Sequence, residues 1–402
     1  MPAYSIAATL QPYCPVFRSY LMRAVIIAAG LGPRNRGVGQ YEQGVIPHLV
    51  AELAARDCDS CIVMCKDGDL RGHLAGARIA RMPVTRDRSL LRFAAEQMYI
   101  PLIGWRADFL LSLGSVLPLS PLWAHRKSVV MHDIHVLRHT ADPDKYPEDY
   151  SVQFRIYANV MYRRAVRAAD RIIAVSEFTS RELRSVMRVP SHRVSVVPCG
   201  VDHARFRPPG DPAAVEDLRK RYSLPDQFYL FVGPYSRKKN LRVVVQAYRS
   251  AELTRDIRCP VVVVGDTRRS ELYGQTLSLI DQSGLSGSFR FLGSVPDLDM
   301  PLLYSAAKAL LYPSLYEGFG LPPLEAMACG TPVVASNRTS IPEVVGNAAL
   351  LIDPEDPASL AAALQKLAEE PLRKELIRKG LERAQLFSWQ RTARLIAEQL
   401  LS

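Results

Sequence analysis

No apolar run in this 402-residue chain approaches the ~20 residues that a membrane-spanning helix needs. The nearest, residues 109–124, is interrupted by glycine, serine and two prolines. The first residues lack a basic start followed by a long apolar core, so no secretory signal is read. Metal-ligand spacing is missing as well. The seven cysteines include the cluster Cys58, Cys61 and Cys65, but no second ligand pair follows at zinc spacing. Ile62, Val63 and Met64 between them read as buried strand, with Cys61, Val63 and Cys65 on one face. Core thiols in a reducing cytoplasm fit better than a disulfide framework. There is no short-period repeat and no low-complexity tract. Nucleic-acid motifs are absent too, although a net charge of +11 would suit such a partner.

What remains is a globular composition, long enough for two or three domains. The positive charge is uneven. Residues 1–210 hold 28 Lys and Arg against 18 Asp and Glu, or +10, and residues 211–402 hold 23 against 22, or +1. Arg71, Arg78, Arg81, Arg86, Arg88 and Arg92 form one cluster, and Arg155, Arg163, Arg164, Arg167 and Arg171 another on a predicted helix. A basic first domain points to an anionic membrane face or an anionic acceptor.

Short apolar runs alternate with helical patterns along the whole chain, the pattern of parallel α/β sheets. Strands are predicted near 24–29, 60–65, 108–113, 128–132, 171–175 and 194–198, then near 228–233, 260–265, 288–292, 309–313 and 332–336. A break over residues 202–226, rich in proline, separates two Rossmann-like halves. Residues 1–21 fit poorly, and Met22, directly before an apolar strand, reads as an alternative start.

The most informative stretch is residues 310–336, LLYPSLYEGFGLPPLEAMACGTPVVAS. It reads as strand, glycine loop, helix, strand. Gly318, Phe319 and Gly320 let backbone N–H groups approach a phosphate. Pro322 and Pro323 suit a first helical turn, and Gly330 suits a helix end. Glu317 and Glu325 flank the helix entry and would accept hydrogen bonds from sugar or ribose hydroxyls. Two glutamates eight positions apart around GFGLPPLEA, with GTPVVAS after, resemble the signature of the retaining glycosyltransferases of family 4.

That resemblance implies an α/β protein of GT-B architecture, with two Rossmann-like domains of parallel sheets facing a central cleft. The expected division is residues 1–21 disordered or a mis-assigned start, an acceptor domain over 22–205, and a nucleotide-sugar donor domain over 206–387. A C-terminal helix at about 388–402, after the family-like Phe387-Ser388-Trp389, would return to the first domain. Gly233 to Asn240, GPYSRKKN, resembles the family's G-x5-K-[GN] loop and sets Lys239 on the donor diphosphate. Pro234 stands where arginine is usual, and Arg237 or Lys238 would replace that cation.

Arg36 to Tyr41, RGVGQY, resembles the family's G-G-V-G-R-Y loop through Gly37, Val38 and Gly39, though Gly44 and Pro47 should weaken the helix that follows. His132-Asp133 matches the His-Asp pair of mannosyl- and rhamnosyltransferase-like members, with His132 toward the transferred sugar. Ser294 and Val295 are expected at the base pocket, Glu325 at the ribose and Glu317 at the sugar. Val-Ser-Glu-Phe-Thr at 175–179 and Val-Pro-Cys-Gly-Val-Asp at 197–202 are expected to be structural, with Ser176 capping a helix.

The resemblance implies a cytoplasmic, metal-independent, retaining hexosyltransferase without a cofactor, working at the inner membrane face. It would move mannose from GDP-mannose to a glycan or lipid-linked acceptor. A non-catalytic nucleotide-sugar-binding protein is the alternative. The local likeness of Ile27 to Arg34, IAAGLGPR, to a sugar nucleotidylyltransferase loop is a weaker one.

Overall fold

A computed structural model describes residues 22–31, 37–70, 74, 76–85, 89–105, 107–118, 124–148, 150–233, 236–249, 257–265 and 271–402. The expectations for residues 1–21, and those resting on Gly32 to Arg36, Arg71, Arg86, Arg88 and Pro234, lie outside the described residues.

Two all-parallel sheets carry the fold. The first contains β1 (Met22–Ile27), β2 (Cys58–Cys65), β3 (Ala77–Met82), β4 (Phe109–Ser112), β5 (Arg126–Met131), β6 (Arg171–Ala174) and β7 (Val194–Val196), in the order β3-β2-β1-β4-β5-β6-β7. The second contains β8 (Tyr229–Val232), β9 (Val261–Val264), β10 (Phe289–Gly293), β11 (Ala309–Tyr312), β12 (Val333–Ser336) and β13 (Leu350–Ile352), in the order β10-β9-β8-β11-β12-β13. Each order reverses once, between β1 and β4 and between β8 and β11. At such a switch point neighbouring crossovers run to opposite sides and leave a crevice at the strands' carboxyl ends.

The strands form where Val, Ile and Leu runs bury both faces of a sheet, as in Val261–Val264, fully to almost fully buried. Two strands escaped the apolar-run criterion. β3, sequence ARIARM, is an edge strand exposed on much of its length, and β13 is three residues long. An edge strand needs neither continuous apolarity nor length.

Helix Val38–Ala54 runs unbroken through Gly44 and Pro47, contrary to the expectation of a weakened start. Gly44 has a packing reason. A Cβ there would lie 2.2 Å from the indole of Trp389. Helix Trp389–Leu401, capped by Ser388 Oγ on the Arg391 N–H at 3.2 Å, packs along helix Val38–Ala54. The chain's last helix therefore covers the first sheet, and Tyr41 meets Trp389 edge-on at 5.5 Å.

Gly44→Ala balances about 1 kcal/mol of gained helix propensity against roughly 1–3 kcal/mol of overpacking. The expected outcome is a net loss of stability in urea unfolding. A more stable variant would show that the helix pair is looser than described.

Candidate functional site

A cavity of about 490 Å³ opens between the two sheets' carboxyl ends. Its floor is the loop after β11. Glu317 N–H donates to Thr339 Oγ1 at 3.1 Å, and Ser340 Oγ lies 2.9 and 2.7 Å from the Glu317 and Phe319 carbonyls. Gly320, at φ 121°, turns the chain into helix Leu321–Ala328. Pro322 and Pro323 occupy its first turn, where their lack of N–H costs nothing. The helix closes with Gly330 at φ 74°, whose N–H donates to Met327 O, while Thr331 N–H donates to Ala326 O. This is a Schellman ending.

Across the switch point, β8 leads to the turn Arg237–Lys239. Lys239 Nζ donates to Glu317 Oε1 at 2.6 Å and to Tyr312 Oη at 2.7 Å. Burial works to raise the Glu317 pKa, but the ammonium groups of Lys239 and Lys238 outweigh it and hold the carboxyl below its ordinary range. Burial likewise works against a charged Lys238, and Asp133, Glu317 and Glu148 reverse that effect.

Glu325 has a different setting. The residue is buried, at 6% exposure. It accepts from the Tyr304 hydroxyl at 2.9 Å and from the side-chain amide of Gln40. Burial pushes its pKa up, and Tyr304, Arg205 and Gln40 offset this only in part.

The first domain supplies the roof. His132 follows β5, and its Nε2 lies 2.7 Å from the Leu113 carbonyl. A carbonyl only accepts, so Nε2 carries the proton and Nδ1 is the ring's acceptor. Burial lowers its pKa, which keeps the ring neutral. Tyr41 packs edge-on against it at 4.8 Å.

Glu317, His132, Lys238, Lys239, Gly318, Phe319, Gly320, Glu325, Val295, Gly37 and Val38 all line this cavity. Arg237, Ser294 and Gly39 do not. Arg237 is exposed and borders a neighbouring pocket, and Gly39 is buried in the first turn of its helix. Tyr304, Tyr312 and Arg205 belong to the site but went unread, because in sequence they look like an ordinary core aromatic or a linker charge. Among the described residues no group of three His, Cys, Asp or Glu could hold a metal.

The domains are joined at this same level. The Glu343 carboxylate accepts from the Glu177 and Phe178 N–H groups, each at 3.0 Å. These open helix Glu177–Met187, and Ser176 Oγ takes the third donor, Thr179 N–H, at 3.0 Å. Orphan amide donors at one domain's helix start are thus satisfied by the other domain.

Residues 45–205 match the family described as Glycosyltransferase Family 4, and residues 215–383 match the one described as Glycosyl transferases group 1. The chain is 36% identical over 270 residues to the O-antigen chain mannosyltransferase B of Escherichia coli, covering 66% of this chain and 67% of that protein. Its fold is similar to that of a sucrose-phosphate synthase from Thermosynechococcus elongatus, with TM-score 0.72, 22% identity, and 94% and 98% of the two chains covered. It is also similar to Anabaena HepE solved with UDP and glucose, with TM-score 0.70, 19% identity, and 94% and 99% covered.

Two outcomes test this geometry. Glu343→Ala should loosen closure, costing on the order of 0.5–2 kcal/mol as other caps do. Small-angle scattering should then give a larger radius of gyration, and an unchanged radius would remove the latch role. Glu317, with its folded pKa below the ordinary 4.5, stabilises above that value and ceases to as pH falls through the folded pKa. The urea-stability advantage of the native chain over Glu317→Gln should therefore be about 1.5–3 kcal/mol near neutrality and shrink in acid. A pH-independent gap would argue against an ionised pair.

Proposed function

Because this chain belongs to the family 4 glycosyltransferases and has the GT-B fold, we propose that it moves a hexose, mannose from GDP-mannose, onto a growing glycan or a lipid-linked acceptor in surface polysaccharide synthesis. The observation that carries this reading is the Lys239–Glu317 pair spanning the β8/β11 switch point, beside Lys238 and the start of helix Leu321–Ala328, in one cavity.

In this reading the diphosphate lies over Gly318, Phe319 and Gly320, against the positive end of that helix. Lys239 and Lys238 oppose its charge, so negative charge developing on the leaving group meets cations already in place. No metal is required for that step. Glu325 takes the ribose hydroxyls, exchanging its present bond to Gln40. Glu317, ionised and fixed by Lys239, accepts from hydroxyls of the sugar. Nδ1 of His132 accepts another from the opposite wall. Val295 borders the base, and Gly37 and Val38 approach from the first domain.

Attack by the acceptor hydroxyl from the face the diphosphate leaves would retain the anomeric configuration. Closure over the cavity excludes water and favours transfer over hydrolysis. The mannose assignment is supported by the His-Asp pair at β5 and by the mannosyl-transferring relative. The charge of +10 on residues 1–210 supports work at the cytoplasmic face of an anionic membrane, in peripheral contact with it.

Thermal unfolding with GDP, UDP, dTDP and ADP tests the donor. At ~100 times its dissociation constant the correct nucleotide adds roughly 2.7 kcal/mol of stability. GDP alone should do so, and Lys239→Ala should abolish the shift. Transfer from GDP-mannose should be lost in Glu317→Ala, with the product anomer read by NMR. A shift with UDP instead of GDP would overturn the donor assignment. Binding without any transfer would favour a non-catalytic binder.

A further inference from the structure

Two helices on one side of the first domain turn apolar residues outward. In helix Ser89–Ile103 and just beyond it, Leu91, Met98, Leu102 and Trp105 recur at helical spacing. Met98 is 65% exposed, Leu102 72% and Trp105 54%. The only acid of that helix, Glu96, points inward at 3% exposure and pairs with Arg92 at 3.2 Å. Apolar residues thus face both the sheet and solvent, and the polar outer face usual for a surface helix is missing.

Helix Val152–Ala168 continues the same surface. Val152, Ile156 and Val160 stand one turn apart, exposed by 56, 62 and 52%, and Phe154, on another side of the first turn, is 43% exposed. The stripe then runs into Arg163 and Arg167, both exposed. No Asp or Glu occurs in this 17-residue helix. Phe93 and Tyr157 meet edge-on at 5.9 Å and join the two helices. Both pack through Ala95, Ile100, Ala158 and Ala165 onto one sheet face. Helices Val38–Ala54 and Trp389–Leu401 lie in the cluster covering the other face.

A contiguous apolar surface of this kind marks a binding face. Its charge selects the partner, because the 152–168 helix exposes Arg163 and Arg167 and neither helix exposes a carboxylate. Among the described residues no helix is long and apolar enough to cross a membrane. An apolar face bordered by cations matches an anionic bilayer entered only to headgroup depth. The position fits as well. The 152–168 helix starts beside the cleft, where the Phe154 ring lies 5.4 Å from Tyr150, whose hydroxyl is 3.1 Å from His135 Nδ1.

We propose that the joint outer face of these two helices docks the protein on an anionic lipid bilayer, with the cleft mouth turned toward the surface where a lipid-linked acceptor resides. This rests on the peripheral membrane contact proposed above and assigns the surface that makes it.

The test is co-sedimentation of the full chain with phosphatidylcholine vesicles, with and without phosphatidylglycerol. Binding should require phosphatidylglycerol and weaken with salt. Leu102→Glu and Ile156→Glu should each weaken it at least tenfold while leaving the unfolding temperature and transfer to a water-soluble acceptor unchanged. Arg163→Ala with Arg167→Ala should flatten the salt dependence. Brominated lipid should quench tryptophan fluorescence, and Trp105→Phe should remove that quenching.

Vesicle binding that ignores all these substitutions would overturn the surface assignment and leave the membrane contact standing. No vesicle binding at all would overturn both. Sedimentation velocity without lipid gives the remaining check. If Leu102→Glu converts a dimer to monomer, the face is a self-association surface and the lipid assignment fails.

Discussion

The cleft is held by the approach of two backbones, Gly318 of the second domain and His132 of the first. A Cβ on Gly318 would lie 1.8 Å from the His132 carbonyl oxygen, closer than any side chain allows. Thr179 Oγ1 sits between them, 3.2 Å from the Gly318 carbonyl and 3.4 Å from that of His132. Nearby, Tyr316 packs against His135 at 4.7 Å and Phe178 at 5.3 Å. That contact brings the first-domain groups His132 and Gln40 within reach of those on the second domain. Without it, His132 and Gln40 would belong to one open surface and Lys239, Glu317 and Glu325 to another.

Within the closed cleft, burial affects the two glutamates in opposite senses. Taking a carboxylate out of water is costly, and the cost is recovered only where charge or hydrogen bonds compensate. Glu317 faces two ammonium groups and is driven toward its ionised form. Glu325 faces a phenol and an amide, whose dipoles compensate less. The first is thereby a fixed anion. The second has partners weak enough to be exchanged for the hydroxyls of an incoming ligand. The Gln40 amide already bridges the two domains at that point, so ligand entry there and domain closure draw on one contact.

The first domain has a second role in its outer layer. Its sheet is covered on one side by packing so close that Gly44 and Gly200 leave no room for a Cβ beside Trp389. On the other side the covering helices keep apolar residues in solvent. That outer layer thus presents an apolar surface, with Arg163 and Arg167 at its border.

The alternation of apolar runs and helical patterns, with glycines and prolines at strand ends, was legible without coordinates, because burying a strand on both faces demands Val, Ile and Leu. The loop after β11 was legible for a similar reason, since a tight turn into a helix start admits few residues. β3 and β13 were hidden, because an edge strand carries little of that constraint. The family resemblance also singled out Lys239, yet Arg237, Lys238 and Lys239 are three adjacent cations. Only the turn that carries them decides that Lys238 lines the cavity and Arg237 faces outward. Gly44 reads locally as a weak point in a helix, and its meaning is set by Trp389, 345 positions away. Tyr304 acquires its role only when its helix packs beside Glu325 in the second domain, and Gln40 and Glu343 theirs only when the two sheets face each other. Local sequence determines which segments become strands and loops through burial and backbone freedom, whereas the partners of buried charge depend on contacts between segments remote in the chain.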